Sequence, residues 1–255
     1  MGLTWNCSLS CPVCARTGAI ESKKFHTLNK KNLQWESYKN LIDLPELYEF
    51  LLCGNYGDPI YYKYLLELCE YIKNKSTSRI VIHTNGSYKT HNFWKQLCDI
   101  LQPEDILIFS IDGTLENNNI YRINSDRESI LNAIQIARSA ERRPELIWKH
   151  IVFPYNFDTI ETAVDQALDL KFDKIHLTVS HETDLHEYSL SWNTQEVMNR
   201  IEKHLLKSFS SYDVSIQEDE QCVIVEIQSL LNASYEKKSS ILFLNLTEHL
   251  FLVVG

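Results

Sequence analysis

The sequence predicts an α/β fold: a partial (β/α)6 barrel of parallel strands with outer helices, followed by a small C-terminal appendage that contains strands. Two observations predict it. Apolar runs of strand length alternate with stretches of helical period from residue 2 to residue 180, in six units. Six units fall short of the eight that close a full barrel, and an open doubly wound sheet is the alternative. Only 7 Gly and 6 Pro in 255 residues leave few turns, so the elements should be long. In either architecture ligands sit at the carboxyl ends of the strands. Polar and glycine-containing segments fall at those ends: from Asn6 onward, Gly54 to Pro59, Thr84 to Ser87, and Ser110 to Thr114.

Taken in order, Gly2 to Trp5 is a short strand candidate, then a polar loop, then a helical stretch from about Leu33 to Ile42. Tyr48 to Cys53 is a compact apolar run that stops at turn residues Gly54, Gly57 and Pro59. Ile60 to Lys75 places Tyr61, Leu65, Leu68 and Ile72 on one helical face. Arg79 to His83 reads as a strand ending at Asn85-Gly86. His91 to Leu101 reads as a helix with Trp94, Leu97, Cys98 and Leu101 inward. Asp105 to Ile111 is a strand ending at Asp112-Gly113. Asp126 is the expected N-cap of a helix reaching Ala140. Leu146 to Phe153 is a strand, Thr159 to Leu170 a helix, and Lys174 to Val179 a strand.

After Thr194 the pattern changes. A helix to Phe209 is followed by strand candidates at Gln221 to Ile227, Ile241 to Leu246 and Leu250 to Val254. The expected division is a barrel over 1–190 and a C-terminal helix and strands over 191–255.

The composition is that of a globular chain, with 44% hydrophobic and 23% charged residues. A formal net charge of −9 suits a phosphate backbone poorly, so a nucleic-acid partner is not expected. The sequence holds no apolar run of about 18 residues and no basic-then-apolar leader, so a cytoplasmic protein with no membrane partner is expected. Seven cysteines then read as reduced thiols and metal ligands rather than a disulfide framework.

Three of them are clustered. Cys7, Cys11 and Cys14 form a C-x3-C-x2-C run directly after the first strand candidate. Structural zinc wants four protein ligands, and His26, the nearest fourth candidate, fits no common finger spacing. A cubane iron–sulfur cluster can be held by three thiolates with one iron left for an outside ligand. Zinc and three incidental thiols remain the competing readings.

With this triplet the sequence resembles the radical S-adenosylmethionine superfamily, from Gly2 to about Ser180. Gly54-Asn55-Tyr56-Gly57-Asp58-Pro59 resembles its Gly-Gly-Glu-Pro motif, and Thr84-Asn85-Gly86-Ser87 its Thr-Asn-Gly motif. Ser110-Ile111-Asp112-Gly113, followed by Tyr121-Arg122, resembles its Ser-x-Asp-Gly motif. Val13 stands where many relatives carry an aromatic residue. The resemblance implies that Cys7, Cys11 and Cys14 ligate a 4Fe-4S cluster whose fourth iron binds S-adenosylmethionine. Reductive cleavage of that cofactor would give a 5′-deoxyadenosyl radical that abstracts a hydrogen from a peptide or small-molecule substrate. Gly57 and Asp58 would hold the methionine ammonium, and Asn85 would face the cofactor. Ser110 and Asp112 would bind its carboxylate or ribose, and Arg122 would pair with the carboxylate. A reductant such as flavodoxin or ferredoxin is implied as a partner.

The tail resembles a truncated or degenerate SPASM or twitch module, since Cys222 is its single cysteine and cannot hold a cluster alone. A non-catalytic or truncated iron–sulfur-binding homologue is the second functional reading, and a zinc-binding interaction domain the third. Cys53, Cys69 and Cys98 read as buried inert thiols. His176, His181 and His186, with Glu182 and Asp184, read as substrate-mouth or solvated-loop residues, with a metal or acid–base site as the alternative. Tyr121, Tyr155 and Tyr188 are candidates for the same mouth.

Overall fold

Short runs of Ile, Val, Leu and Phe cannot stand alone in water, and here they pair with one another in chain order. A computed structural model describes residues 2–22, 42, 47–54, 56–179, 194–208, 212–219 and 222–229. Its strands β1 (Glu49–Leu52), β2 (Arg79–Thr84), β3 (Ile106–Ser110), β4 (Glu145–Val152) and β5 (Lys174–Val179) lie side by side, all parallel. The crossovers contain α2 (Leu65–Lys75), α3 (His91–Ile100), α4 (Arg127–Ser139) and α5 (Ile160–Asp169); α1 (Ala15–Glu21) precedes them. Strand order follows chain order without reversal, which is barrel winding and not the doubly wound alternative.

Alternation along each strand separates two faces. Leu52, Ile80, Ile82, Leu107, Phe109, Leu146, Trp148, Ile175 and Leu177 pack against Leu68, Ile72, Trp94, Leu97, Ile134 and Val164 of the outer helices. On the opposite, concave face Val81, Ile106, Ile108 and Ile147 form a separate apolar floor. Asp105 ties the sheet's lower end together: it accepts from Ile80 N at 2.7 Å and meets Lys73 Nζ at 2.6 Å. The strand ends above this floor are therefore held in fixed relation by the core on one side and by Asp105 below.

Several local expectations change. Gly2 to Trp5 carries no strand, and the segment makes no ladder. The expected helix from Ile60 splits into a 3-10 turn at Pro59–Tyr61 and α2, because Asp58 caps the turn at Ile60 N (3.1 Å) and Tyr62 leaves it extended. Asp126 caps α4 as expected, accepting from Ser129 N at 2.7 Å. The helix α1 follows the cysteines directly, where the sequence predicts a polar loop. Most of the Leu33 to Ile42 helix lies outside the described residues.

After β5 comes α6 (Thr194–Ser208), whose Val197, Ile201 and Leu205 are buried in the main core. A hairpin follows, β6 (Tyr212–Asp219) and β7 (Cys222–Ser229), and β7 pairs antiparallel with β5. It extends the same sheet, with Val225 in the main core. The strand candidates at Ile241 to Leu246 and Leu250 to Val254, and the 190/191 boundary, lie outside the described residues.

Candidate functional site

The cysteine loop is built by contact with three other loops. Gly57 permits the first: a Cβ there would fall 2.1 Å from the Thr4 carbonyl oxygen, so only glycine allows the N-terminal segment to lie this close. Next to it, Asp58 N donates to Asn6 O at 2.9 Å. The Tyr61 hydroxyl donates to the Ser87 carbonyl at 2.9 Å and shares a hydrogen bond with the Ser8 hydroxyl at 2.8 Å. Ser10 N donates to Ile123 O at 3.1 Å. Within the loop, Arg16 from α1 reaches back to the carbonyls of Trp5 and Leu9, at 3.1 Å each.

The loop surrounds a small nest. Leu9, Cys11, Tyr121 and Phe153 are buried together, with Cys7, Val13, Cys14, Ile151 and Tyr155 packed on them. Tyr121 and Phe153 have ring centres 4.4 Å apart, and Phe153 stacks on Tyr155 at 5.8 Å. The expected cofactor neighbourhood is thus apolar and aromatic where the thiols meet it. Burial pushes the Cys11 thiol up to about 12, against the pull of Arg122. It raises Cys7 as well, opposed by the Leu9 amide, which donates to Cys7 Sγ at 3.4 Å. Among the described residues no three His, Cys, Asp or Glu side chains converge as ligands of one metal ion would.

One wall of the nest is Asp58 with Asn85. Asp58 is buried and receives Asn85 N at 2.7 Å, Asn85 Nδ2 at 2.6 Å and Thr84 Oγ1 at 3.2 Å on one carboxylate oxygen. Burial raises its pKa to about 6, while these donors pull the other way. The Asn85 amide also reaches Cys7 Sγ at 3.6 Å, so it bridges the second-strand loop to the first cysteine.

Opposite stands Asp112 with Arg122. Asp112 is fully buried, accepts from Ile151 N at 2.7 Å and pairs with Arg122 Nε at 2.8 Å. Its carbonyl takes the Tyr155 hydroxyl. Burial works against the Arg122 charge, but Asp112 and then Cys11 hold it firmly protonated. This pairing uses Nε of the guanidinium, whose two terminal nitrogens carry further donors.

The sequence-selected residues therefore assemble from four segments. Cys7, Gly57, Asp58 and Asn85 meet on one side, and Cys11, Asp112 and Arg122 on the other. Asp112 and Arg122, expected to contact a cofactor separately, are joined to each other. Ser110 stands apart on β3, in register with Lys149 of β4. Arg16 and Tyr61 were missed, as were His83 and Lys149. The available signal was polar residues at inward positions of otherwise apolar strands, RIVIHT and ELIWKHIV. Cys69 and Cys98 are buried as expected, and Cys53 is half-buried. His181, His186 and Tyr188 lie outside the described residues.

A parallel partial barrel with a three-cysteine nest at its carboxyl end has the fold of the radical S-adenosylmethionine enzymes. No protein-family model matches the chain, and no curated protein matches it. Among solved structures, TYW1 with a lysine–pyruvate adduct bound is similar at a TM-score of 0.58 and 17% identity, over 87% of this chain and 76% of that one. Streptococcus suis SuiB bound to S-adenosylmethionine is similar at 0.58 and 13%, over 81% of this chain and 47% of that one. Coproporphyrinogen III oxidase (HemN) from Escherichia coli, described as a radical SAM enzyme, is similar at 0.51 and 12%, over 70% and 43%. The chain thus spans three quarters of the first and less than half of the other two. No helix among the described residues is long and apolar enough to cross a membrane.

Proposed function

We propose that this chain is a radical S-adenosylmethionine enzyme that removes a hydrogen atom from a small-molecule or peptide substrate. The observation that carries this reading is the convergence of the Cys7–Cys14 loop with Asn85–Asp58 on one side and Arg122–Asp112 on the other. Cys7, Cys11 and Cys14 would hold a 4Fe-4S cluster. The donor set suits it: three thiols with an aromatic and apolar wall, a backbone amide and the Asn85 amide aimed at Cys7 Sγ, and a cation beside Cys11. Zinc would need the three thiols and a fourth ligand on one ion, which suits this arrangement less.

Held there and reduced, the cluster would supply the electron for reductive cleavage of S-adenosylmethionine. The chain's own residues orient and shield. The Arg122 fork would take the cofactor's carboxylate, with Asp112 fixing its direction. Asp58, with the Gly57 carbonyl, would receive its ammonium, and the ionised form of Asp58 is the one that accepts. Asn85 would keep the Asp58 wall in register with Cys7. Ser110 faces the barrel interior and would contact the ribose or substrate side. Phe153, Tyr121 and Tyr155 would shield the buried Cys11 thiol from water. SuiB has been seen with the precursor peptide SuiA, and TYW1 with a lysine–pyruvate adduct, so peptides and small molecules both occur among structures of this fold. A flavodoxin or ferredoxin would deliver the electron in a cytoplasmic setting. Residues 191–255 would act as an appendage that carries no cluster of its own.

Anaerobic reconstitution with iron and sulfide, then incubation with S-adenosylmethionine and dithionite, tests this. The expected result is about four irons per chain and 5′-deoxyadenosine, both lost on changing Cys7, Cys11 or Cys14 to Ala. Iron without 5′-deoxyadenosine would favour a non-catalytic iron–sulfur homologue. Zinc without inorganic sulfide would overturn the assignment.

A further inference from the structure

On β4, residues of alternate parity face the barrel interior. Ile147 belongs to the apolar floor and Ile151 to the cysteine nest, so Lys149, between them, lies on the same face and between the two. Its register partners are Ser110 of β3 and His176 of β5. His176 alternates with Ile175 and Leu177, which both face the outer helices, so it too points inward. His83 alternates with Ile82 and Thr84 and follows Val81 of the floor; it pairs in register with Ile108. Three basic side chains from three strands thus share the concave face below the thiols: Lys149 and His176 in one register row above the floor, and His83 one row lower, level with Ile108 and Ile147.

All three are half-buried, and none has a hydrogen-bond or ion-pair partner among the described residues. Burial and then mutual repulsion depress both imidazoles to about 4: Lys149 and His176 act on His83, and Lys174 and Lys149 act on His176. The nearby carboxylate that favours a charged His176 is Glu226, which is already paired to Lys174 at 3.1 Å. Lys174 is held again by Glu145 at 2.9 Å. Near pH 7 both imidazoles are therefore neutral donors beside one cation, Lys149, and the two carboxylates that flank Lys174 on this face, Glu145 and Glu226, are both engaged by it.

We propose that Lys149, His83 and His176 form a subsite for an anionic group of the substrate, a carboxylate or a phosphate. Bound there, the anion would lie under the thiol nest, with the rest of the substrate directed towards it. This deepens the reading of the barrel as catalytic and rests on it, but it makes a claim about binding that needs no turnover.

The test uses the anaerobically purified full chain, labelled at the imidazole Cε1 of histidine and titrated with inorganic phosphate in one series and acetate in another. His83→Gln and His176→Gln assign the two resonances. The expected result is a saturable shift of both signals below about 0.15 M anion, with both imidazole midpoints raised. Lys149→Met should weaken the affinity about tenfold or more, as loss of a charge-assisted contact requires, and His176→Gln should weaken it less. Tighter phosphate binding assigns a phosphate-bearing substrate, and tighter acetate binding a carboxylate. Absence of saturation in both series, or an affinity unchanged in Lys149→Met, overturns the subsite. Failure to form 5′-deoxyadenosine with anion binding intact would instead overturn the catalytic reading alone.

Discussion

His150 offers a measurable link between proton binding and the integrity of the site. Its side chain is fully buried on β4, and neither ring nitrogen has a hydrogen-bond partner among the described residues. Burial lowers its pKa from 6.5 to about 4; Asp112 and Asn156 favour the charged ring and Arg122 opposes it. The unfolded chain binds this proton more readily than the folded one, so stability falls as pH drops from 6.5 towards 4. At pH 5 the difference amounts to about 2 kcal/mol, against a few tenths at pH 7. Replacing His150 with Leu removes the titrating group and its two unpaired nitrogens. Urea unfolding followed by circular dichroism, at pH 7 and pH 5, reads the effect. The advantage of the variant over the wild type should grow by about 2 kcal/mol between the two pH values, or about 0.7 M in midpoint for a slope near 3 kcal/mol/M. His83 and His176 titrate in both proteins and cancel in the comparison. Parallel curves for wild type and variant would show that His150 is protonated or hydrated in the folded chain, and the reasoning would fail.

Two further changes probe the nest. Gly57→Ala drives a Cβ into the Thr4 carbonyl and should displace the N-terminal segment, so reconstituted protein should lose most of its iron on desalting while its circular dichroism stays unchanged. Full iron retention would show that the segment is not held by this contact. Arg122→Gln should destabilise the chain by about 3–5 kcal/mol, because it strands the buried Asp112 carboxylate, and the added Asp112→Asn should recover most of that loss. Calorimetry should then show S-adenosylmethionine binding about tenfold or more weaker in the double variant, with iron intact; unchanged affinity would place the cofactor's carboxylate elsewhere.

The barrel was legible because its strands are apolar on both faces and its helices amphipathic, and both signals survive without knowledge of partners. The winding was not: the alternation of elements fits a barrel and a doubly wound sheet alike, and only the pairing of β1 to β5 in chain order separates them. The strand β6 has a weak signal in the sequence because it reads YDVSIQED, with apolar residues only at alternate positions and no contiguous apolar run. The composition of Gly2 to Trp5 suits a strand, but the segment lies against Gly57 at Thr4 and joins no neighbour's ladder, and the carbonyl of Asn6 just after it takes Asp58 N. The motif residues Cys7, Asp58, Asn85, Asp112 and Arg122 were all found at loop positions. That Asp112 and Arg122 neutralise each other could not be read, since the pairing depends on the fold of the turn at Asn118–Ile120 between them.

The distance in sequence between the thiols and their supports has a consequence for the order of events during synthesis. Cys7 is contacted by Asn85, and the cysteine loop by Ile123; the wall against Cys11 is closed only by Phe153. A ribosome working from the N-terminus releases the three thiols first and their last neighbour about 140 residues later, which at about 5–20 residues per second is many seconds. During that interval the thiols have no nest and are open to oxidants and to stray metal ions. If the chain carries the proposed cluster, iron and sulfide delivered before β4 is complete would meet an unshaped chain, and loading would belong after the barrel has closed around the cysteine loop.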